Sequence, residues 1–179
     1  MVDVSLMRPR RARKLIPLAI ISALLLMLSP SALADSTCWR YRKSERDMSD
    51  LVAKARKHYH VKRLSLDPEL SKAARAHTRE MILKDRMYHT SSKVLGRRLY
   101  NWTLIGENIG ASGTVEGLFA GFMQSPSHRD TTYNHRWRHV GIGILQWEGR
   151  LWGTVLFSTG GDPETTLNLP DCSEADPAS

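Results

Sequence analysis

The chain has 179 residues, 41% of them hydrophobic, and a formal net charge of +8 at pH 7. A chain of this length and composition can form one compact domain with a buried core. Its basic residues form no stripe with interleaved aromatic residues, and the sequence shows no internal repeat. Neither a nucleic-acid partner nor a repeat architecture is therefore expected.

Residues 1–34 have the pattern of a signal peptide. Five basic side chains precede an apolar run over 15–28, and Ala32-Leu33-Ala34 supplies a cleavage signal. The apolar run has 14 residues, whereas a helix needs about 20 to cross a bilayer. We therefore expect cleavage after Ala34 and a protein that is secreted or held at the cell envelope, with an uncleaved anchor as the alternative. The segment carries a net charge of +4, so residues 35–179 would carry the remaining +4.

The two cysteines, Cys38 and Cys172, lie close to the two ends of the exported chain. In an oxidising compartment an even pair of cysteines predicts a disulfide. The bridge would close a loop of 135 residues and contribute at most about 5 kcal/mol in the chain-entropy model. Two free thiols are the alternative.

The spacing of apolar residues predicts a first helix over 47–59. Basic residues are concentrated in its second half and in the connection that follows: Lys54, Arg56, Lys57, Lys62 and Arg63. They form either the solvated face of a helix or a surface that favours an anionic cell wall or membrane.

A second helix is predicted over 67–85, with Asp67 as the N-cap residue and a proline at the first helical position. His77 lies on the apolar stripe of this helix. A histidine in that position is more often a hydrogen-bonded core residue than a ligand. We assign His77 to the core and expect its replacement to cost stability but to leave any metal site intact.

The second half of the chain predicts a long connection, a third helix and a hairpin. Residues 86–113 contain several glycines but are too apolar for disorder, which predicts a packed functional loop. The third helix ends at Ser125-Pro126. Alternating apolar residues over 139–157 then predict two strands with a turn at Glu148-Gly149. This order predicts an α+β domain, with helices packed on a small antiparallel sheet and an irregular tail over 159–179.

Two histidines and one carboxylate stand at the ends of these elements: His89, Glu107 and His128, separated by 18 and 21 residues. If they converge, they form the ligand set of an open zinc or other divalent-metal site. Without a metal, the same side chains form a general acid–base set. A purely structural role is the third interpretation, in which Glu107 accepts backbone N–H groups in a tight turn.

The segments around these three residues resemble the CAP superfamily, the cysteine-rich secretory, antigen 5 and pathogenesis-related proteins that share the SCP domain. The resemblance is carried by His89 after a long helix, by Gly-Glu-Asn-Ile at 106–109, and by Ser-Pro-Ser-His-Arg at 125–129. It points to the short bacterial branch and covers about residues 48–158. It implies an α-β-α sandwich within a single domain, 35–179. It also implies a central cleft whose histidines, in some members, bind zinc or a similar divalent ion.

One position departs from the eukaryotic members of that superfamily, which have an aromatic-x-x-Glu pattern before the second histidine. Here the stretch is Phe122-Met123-Gln124-Ser125, so Ser125 stands where the acid would be. The lipid or sterol binding of those members therefore does not transfer directly to this chain.

We expect a monomeric, exported protein whose cleft binds a divalent metal and a lipid or small apolar ligand at the cell envelope. One alternative is a metal-dependent or His/Glu-dependent hydrolase of ester or peptide bonds, with His89, Glu107 and His128 as its catalytic candidates. The other is an interaction module with a vestigial cleft. No G-x-S-x-G nucleophile elbow is present, so the sequence does not decide whether the chain is an enzyme.

Overall fold

This computed structural model describes residues 39–99, 104–160 and 172. Nine regular elements follow one another within these ranges. The helices are α1 Lys43–His58, α2 Pro68–Leu83, α3 Ser92–Arg98, α4 Val115–Gln124 and α5 Pro126–Tyr133. The strands are β1 Ser65–Leu66, β2 Ile105–Ser112, β3 His139–Trp147 and β4 Arg150–Ser158. The predicted signal peptide, Cys38 and most of the predicted tail lie outside the described residues.

The four strands form one sheet in the order β1-β3-β4-β2. Strands β3 and β4 are an antiparallel hairpin, as predicted, and β2 pairs antiparallel with β4. Glu148 and Gly149 connect the hairpin with φ values of 47° and 73°, which is the left-handed conformation that two-residue hairpin turns favour. The short β1 runs parallel to β3, so the sheet is mixed rather than purely antiparallel.

Helices cover both faces of the sheet, so the architecture is the α-β-α sandwich. On one face, α1 and α4 pack through residues such as Met48, Val52 and Phe122 against Val155 and Phe157 of β4. On the other face, α2 and α3 pack around Leu156. Neighbouring residues of one strand supply two different cores because successive side chains of a strand point to opposite faces.

Helix α2 approaches the sheet closely because β3 presents glycines to it. A Cβ atom at Gly143 would lie 2.1 Å from the backbone nitrogen of Arg75. The predicted N-cap is confirmed, since the Asp67 side chain accepts a hydrogen bond from the Leu70 amide at 3.0 Å. His77 is buried with 1% exposure, as its assignment to the core requires.

Two of the predicted boundaries are wrong. Helix α1 begins at Lys43, earlier than residue 47, because its first turn is polar and carries no apolar periodicity. The predicted loop over 86–113 contains helix α3 and strand β2. Strand β2 shows no alternation of apolar residues, partly because Gly106 must admit another side chain. A Cβ atom there would lie 2.7 Å from the Trp137 ring.

Arg56 does not belong to a solvated basic face, although it lies in the basic part of α1. It is fully buried, with 0% exposure. Its guanidinium donates hydrogen bonds to the carbonyl oxygens of Lys62, Thr132 and Asn134 at 2.9, 2.7 and 3.1 Å. Arg56 therefore ties α1 to the end of α5.

Across the described ranges, none of the helices is both long and apolar enough to span a lipid bilayer.

Candidate functional site

Glu107 lies near the start of β2, and its side chain is only 8% exposed. One carboxylate oxygen, Oε1, accepts hydrogen bonds from His89 Nδ1 at 2.8 Å and from the Thr90 amide at 2.9 Å. The other oxygen, Oε2, accepts one from the Thr90 hydroxyl at 2.6 Å. Three donors from two consecutive residues therefore hold this carboxylate, and both of its oxygens are engaged.

The contact with Glu107 determines which nitrogen of His89 carries the proton. An ionised carboxylate can only accept, so His89 Nδ1 must be the donor. In a neutral imidazole the lone pair is then on Nε2. The His89 side chain is 62% exposed, and Nε2 has no protein partner among the described residues. The geometry thus presents an accessible, basic ring nitrogen.

The next residue of β2, Asn108, connects the same strand to helix α5 on the opposite face of the sheet. Asn108 is 1% exposed, and its Nδ2 donates to the His128 carbonyl and to the Thr132 hydroxyl, both at 3.0 Å. The Thr132 hydroxyl in turn donates to the His128 carbonyl at 2.9 Å. Glu107 and Asn108 are neighbours on the edge strand β2 and point to opposite faces, so they hold the His89 side chain and the His128 backbone at the same edge of the sheet.

The surroundings of His128 disfavour its protonated form. Burial lowers the pKa of His128 below its ordinary value of 6.5, and the nearby charge of His89 lowers this pKa further. The His128 ring also makes an edge contact with Phe122, with ring centroids 5.4 Å apart. The lowered pKa favours the neutral form of His128, in which one ring nitrogen has a free lone pair.

The lowered pKa of His128 predicts how stability depends on pH. The unfolded chain takes up a proton on His128 at a higher pH than the folded chain does. We therefore expect the free energy of unfolding to fall as pH drops below 6.5. Urea unfolding measured between pH 7.5 and pH 5 tests this. The slope in that window should be smaller in His128→Gln; an unchanged slope would contradict the assignment.

His77 fixes the segment that carries His89. Its Nε2 lies 2.7 Å from the carbonyl oxygen of Tyr88, and since a carbonyl can only accept, Nε2 is the donor. The rings of His77 and Tyr88 also make an edge contact, with their centroids 5.0 Å apart. The core histidine of α2 thus holds the backbone one residue before His89, a link that the sequence did not predict.

We expect His77→Ala to lower the free energy of unfolding by about 2 kcal/mol or more, because it removes buried volume and leaves the Tyr88 carbonyl unpaired. His77→Gln should recover part of this loss, since its amide can still donate. Urea unfolding of both variants is the measurement. Equal loss in the two variants would show that the hydrogen bond to Tyr88 contributes nothing.

The three side chains do not form a closed set of metal ligands as they stand. Among the described residues, no group of three or more His, Cys, Asp and Glu side chains is arranged to hold a metal ion. In a more open site, the ligand atoms on offer would be His89 Nε2 and one ring nitrogen of His128. Glu107 then orients His89 through Nδ1, as carboxylates commonly do for metal-bound histidines.

Several other residues in or beside these motifs have structural contacts, and some of them were not predicted from the sequence. Ser125, which stands in place of the eukaryotic acid, pairs with the Ser127 hydroxyl at 3.2 Å. The sequence-based prediction gave no role to Thr90, Asn108 or Thr132. The only sequence signal for Thr90 was that it directly follows His89, and the only one for Asn108 was its place in the Gly-Glu-Asn-Ile motif. Two cavities, of about 480 and 410 Å³, lie away from His89, Glu107 and His128.

Comparison with known proteins links this chain to one family. The family model described as "CAP: Cysteine-rich secretory protein family" matches residues 49–153. The uncharacterized protein YkwD of Bacillus subtilis (strain 168) is 30% identical over 119 residues. That match covers 60% of this chain and 44% of YkwD, so the chain spans less than half of the length of this relative.

Solved structures share the fold at low sequence identity. An outer surface protein from Borrelia burgdorferi has a TM-score of 0.63 and 17% identity, over 67% of this chain and 95% of that protein. An extracellular protein containing a SCP domain from Bacillus anthracis has a TM-score of 0.59 and 22% identity. That match covers 64% of this chain and 40% of the B. anthracis chain.

Proposed function

Since the chain belongs to the cysteine-rich secretory protein family, we propose that it is an exported protein whose cleft binds a divalent metal ion, with zinc the first candidate. His89 Nε2 and one ring nitrogen of His128 are the protein ligands. The remaining coordination positions are open to water or to a ligand from solution.

The observation that carries this proposal is the hydrogen bond from His89 Nδ1 to Glu107 at 2.8 Å. This hydrogen bond selects the His89 tautomer in which Nε2 is free, and it restrains the orientation of the His89 ring. Zinc ligation requires a deprotonated ring nitrogen, and the lowered pKa of His128 supplies a second one on the neighbouring ring. The site would thus have two imidazole ligands, one fewer than the three protein ligands of most catalytic zinc sites.

The sequence suggested Glu107 as a metal ligand, but we propose a different role for it. Its two oxygens already accept three hydrogen bonds, and direct ligation would break at least one of them. We therefore assign Glu107 as the residue that orients His89.

A second candidate function is hydrolysis, and the same contact favours it. An imidazole held by a carboxylate through Nδ1, with Nε2 free, has the arrangement of a general base. In this alternative His89 would activate a water molecule against an ester or peptide bond. The hydroxyls of Ser125 and Ser127, in the same motif as His128, are hydrogen-bonded to each other.

Metal analysis of the purified exported protein tests the proposal. Protein incubated with zinc and then desalted should retain about one zinc ion per chain at pH 7.5. An unbiased screen with ester and peptide substrates, run with and without metal, separates the two candidates. Turnover that persists in metal-free protein and disappears in His89→Ala would favour the general base over metal binding.

Export is supported by the pattern of residues 1–34 and by relatives described as extracellular or outer-surface proteins. We propose that the cleft works outside the cytoplasm, in the medium or at the cell envelope. The predicted lipid or small apolar ligand and the monomeric state stay predictions.

The disulfide prediction belongs to the same proposal. Cys172 is buried, and its amide donates to the carbonyl of Trp39, the residue after Cys38, at 2.9 Å. We expect denatured, unreduced protein to show no free thiol on titration. Reduction should lower the free energy of unfolding by about 2–5 kcal/mol. Two free thiols per chain would rule out the bridge.

A further inference from the structure

A cationic cavity of about 410 Å³ lies at the end of the sheet where β1 and β3 begin and β4 ends. Lys62, Arg63, Arg138 and His139 line it, together with the hydroxyl-bearing residues Ser65 and Thr159. No carboxylate is among its lining residues in the described part of the chain. Among the described residues, the lining of the cavity therefore carries positive charge with no carboxylate to neutralise it.

Arg138 is held in place by the backbone around it. Its amide donates to the Ser158 carbonyl at 2.9 Å, and its own carbonyl accepts from Ser65 at 3.0 Å. Its Nη1 donates to the carbonyls of His135 and Trp137, both at 3.1 Å. Among the described residues, Nε and Nη2 have no acceptor. The guanidinium is therefore fixed in position but still has unpaired N–H donors.

His139 is a buried polar side chain at the same cavity. The residue is 2% exposed, and neither of its ring nitrogens has a hydrogen-bond partner in the described ranges. An imidazole always carries at least one N–H, and leaving a buried donor unpaired costs stability. An acceptor at the inner end of the cavity would satisfy it.

Arg56 adds a further positive charge behind the Lys62 carbonyl, to which its Nε donates. Burial lowers the pKa of Arg56, and the charge of Arg138 lowers it further. The Nη2 group of Arg56 is buried without a partner among the described residues. The cavity itself is thus lined by three cationic side chains and by His139, whose buried ring nitrogens are unpaired among the described residues, while Arg56 contributes charge from behind Lys62.

We propose that this cavity is a binding site for a phosphate group. Arginine forks match the oxygens of phosphate, and three cationic side chains suit the charge of a phosphate better than that of a single carboxylate. The phosphate could belong to a small soluble phosphate ester or to the headgroup of an anionic lipid. The site is independent of the metal proposal, since it shares no residue with the cleft.

Calorimetric titration of the exported protein with inorganic phosphate and glycerol 3-phosphate, at low ionic strength, tests the site. The double variant Lys62→Gln/Arg63→Gln should weaken binding about tenfold or more, because it removes two of the charges that line the cavity. The matched control is Lys54→Gln/Lys57→Gln, which removes the same charge from the neighbouring groove. The control should bind phosphate like the wild-type protein.

Sedimentation with phosphatidylcholine vesicles, with and without phosphatidylglycerol, identifies the source of the phosphate. Binding of soluble phosphate alone points to a small ester. Binding of anionic vesicles that is lost only in Lys62→Gln/Arg63→Gln points to a headgroup. If the wild-type protein binds none of the probes, or if both double variants weaken binding equally, the proposed site is wrong.

Discussion

Replacement of His89 or His128 by alanine is expected to weaken zinc binding more than about 100-fold. Loss of a residue that only supports a ligand typically costs about 10–100-fold in metal affinity, and removal of one of two imidazole ligands should exceed that range. Calorimetric titration of zinc into each variant at pH 7.5 measures the effect. Neither substitution removes a core side chain, because His89 is exposed and His128 is only half-buried.

Two further variants make this experiment specific. Glu107→Gln should weaken binding by only about 10–100-fold, since the amide cannot hold His89 as the carboxylate does but no ligand is lost. His58→Ala is the matched control, because it removes an exposed imidazole from the last turn of α1. Unchanged affinity in both His89→Ala and His128→Ala would show that zinc does not bind at this cleft.

Glu45→Ala is expected to lower the free energy of unfolding by about 3–5 kcal/mol, the usual cost of breaking a buried ion pair by removing one partner. The Glu45 side chain has 0% exposure and pairs with Arg75 at 2.5 Å. It also accepts hydrogen bonds from the amides of Arg42 and Ile144 at 2.8 and 3.3 Å. One carboxylate therefore joins the start of α1, helix α2 and strand β3.

The control for this variant is Asp47→Ala, two residues further along α1. Asp47 pairs with Lys43, whose side chain is 88% exposed, and exposed pairs of this kind contribute little. Urea unfolding should separate the two variants clearly. Glu45→Gln keeps the shape of the side chain and should fall between them. If Glu45→Ala unfolds at the same urea concentration as Asp47→Ala, the buried network does not stabilise the fold.

Features encoded by neighbouring residues were predictable from the sequence. The Asp67 cap, the hairpin and its turn at Glu148-Gly149 depend on local propensity, and all three are confirmed. Strand β2 was missed because its pattern reflects distant partners. Gly106 is needed where Trp137 approaches, 31 residues later in the chain. Glu45 is buried only because Arg75, 30 residues away, neutralises it.

The sequence named candidate site residues but not their contacts. Family motifs suggested His89, Glu107 and His128, and the structure shows the hydrogen bond between His89 and Glu107; the metal site itself stays a prediction. The role of Glu107 depends on Thr90, whose amide and hydroxyl donate hydrogen bonds to the two carboxylate oxygens. The position of His89 depends on His77, which holds the preceding carbonyl. Such contacts arise from packing between elements, and the spacing of residues along the chain does not encode them.

The tautomer and ligation of the two histidines can be observed directly by NMR. Long-range ¹H–¹⁵N correlation spectra of protein labelled at histidine, recorded at pH 7.5 with and without zinc, report each ring nitrogen separately. We expect metal-free His89 to carry its proton on Nδ1. Zinc should then shift the signals of His89 Nε2 and of one ring nitrogen of His128, while Nδ1 of His89 stays protonated. If zinc saturates the protein and leaves the ring signals of both histidines unchanged, the metal does not bind at this site.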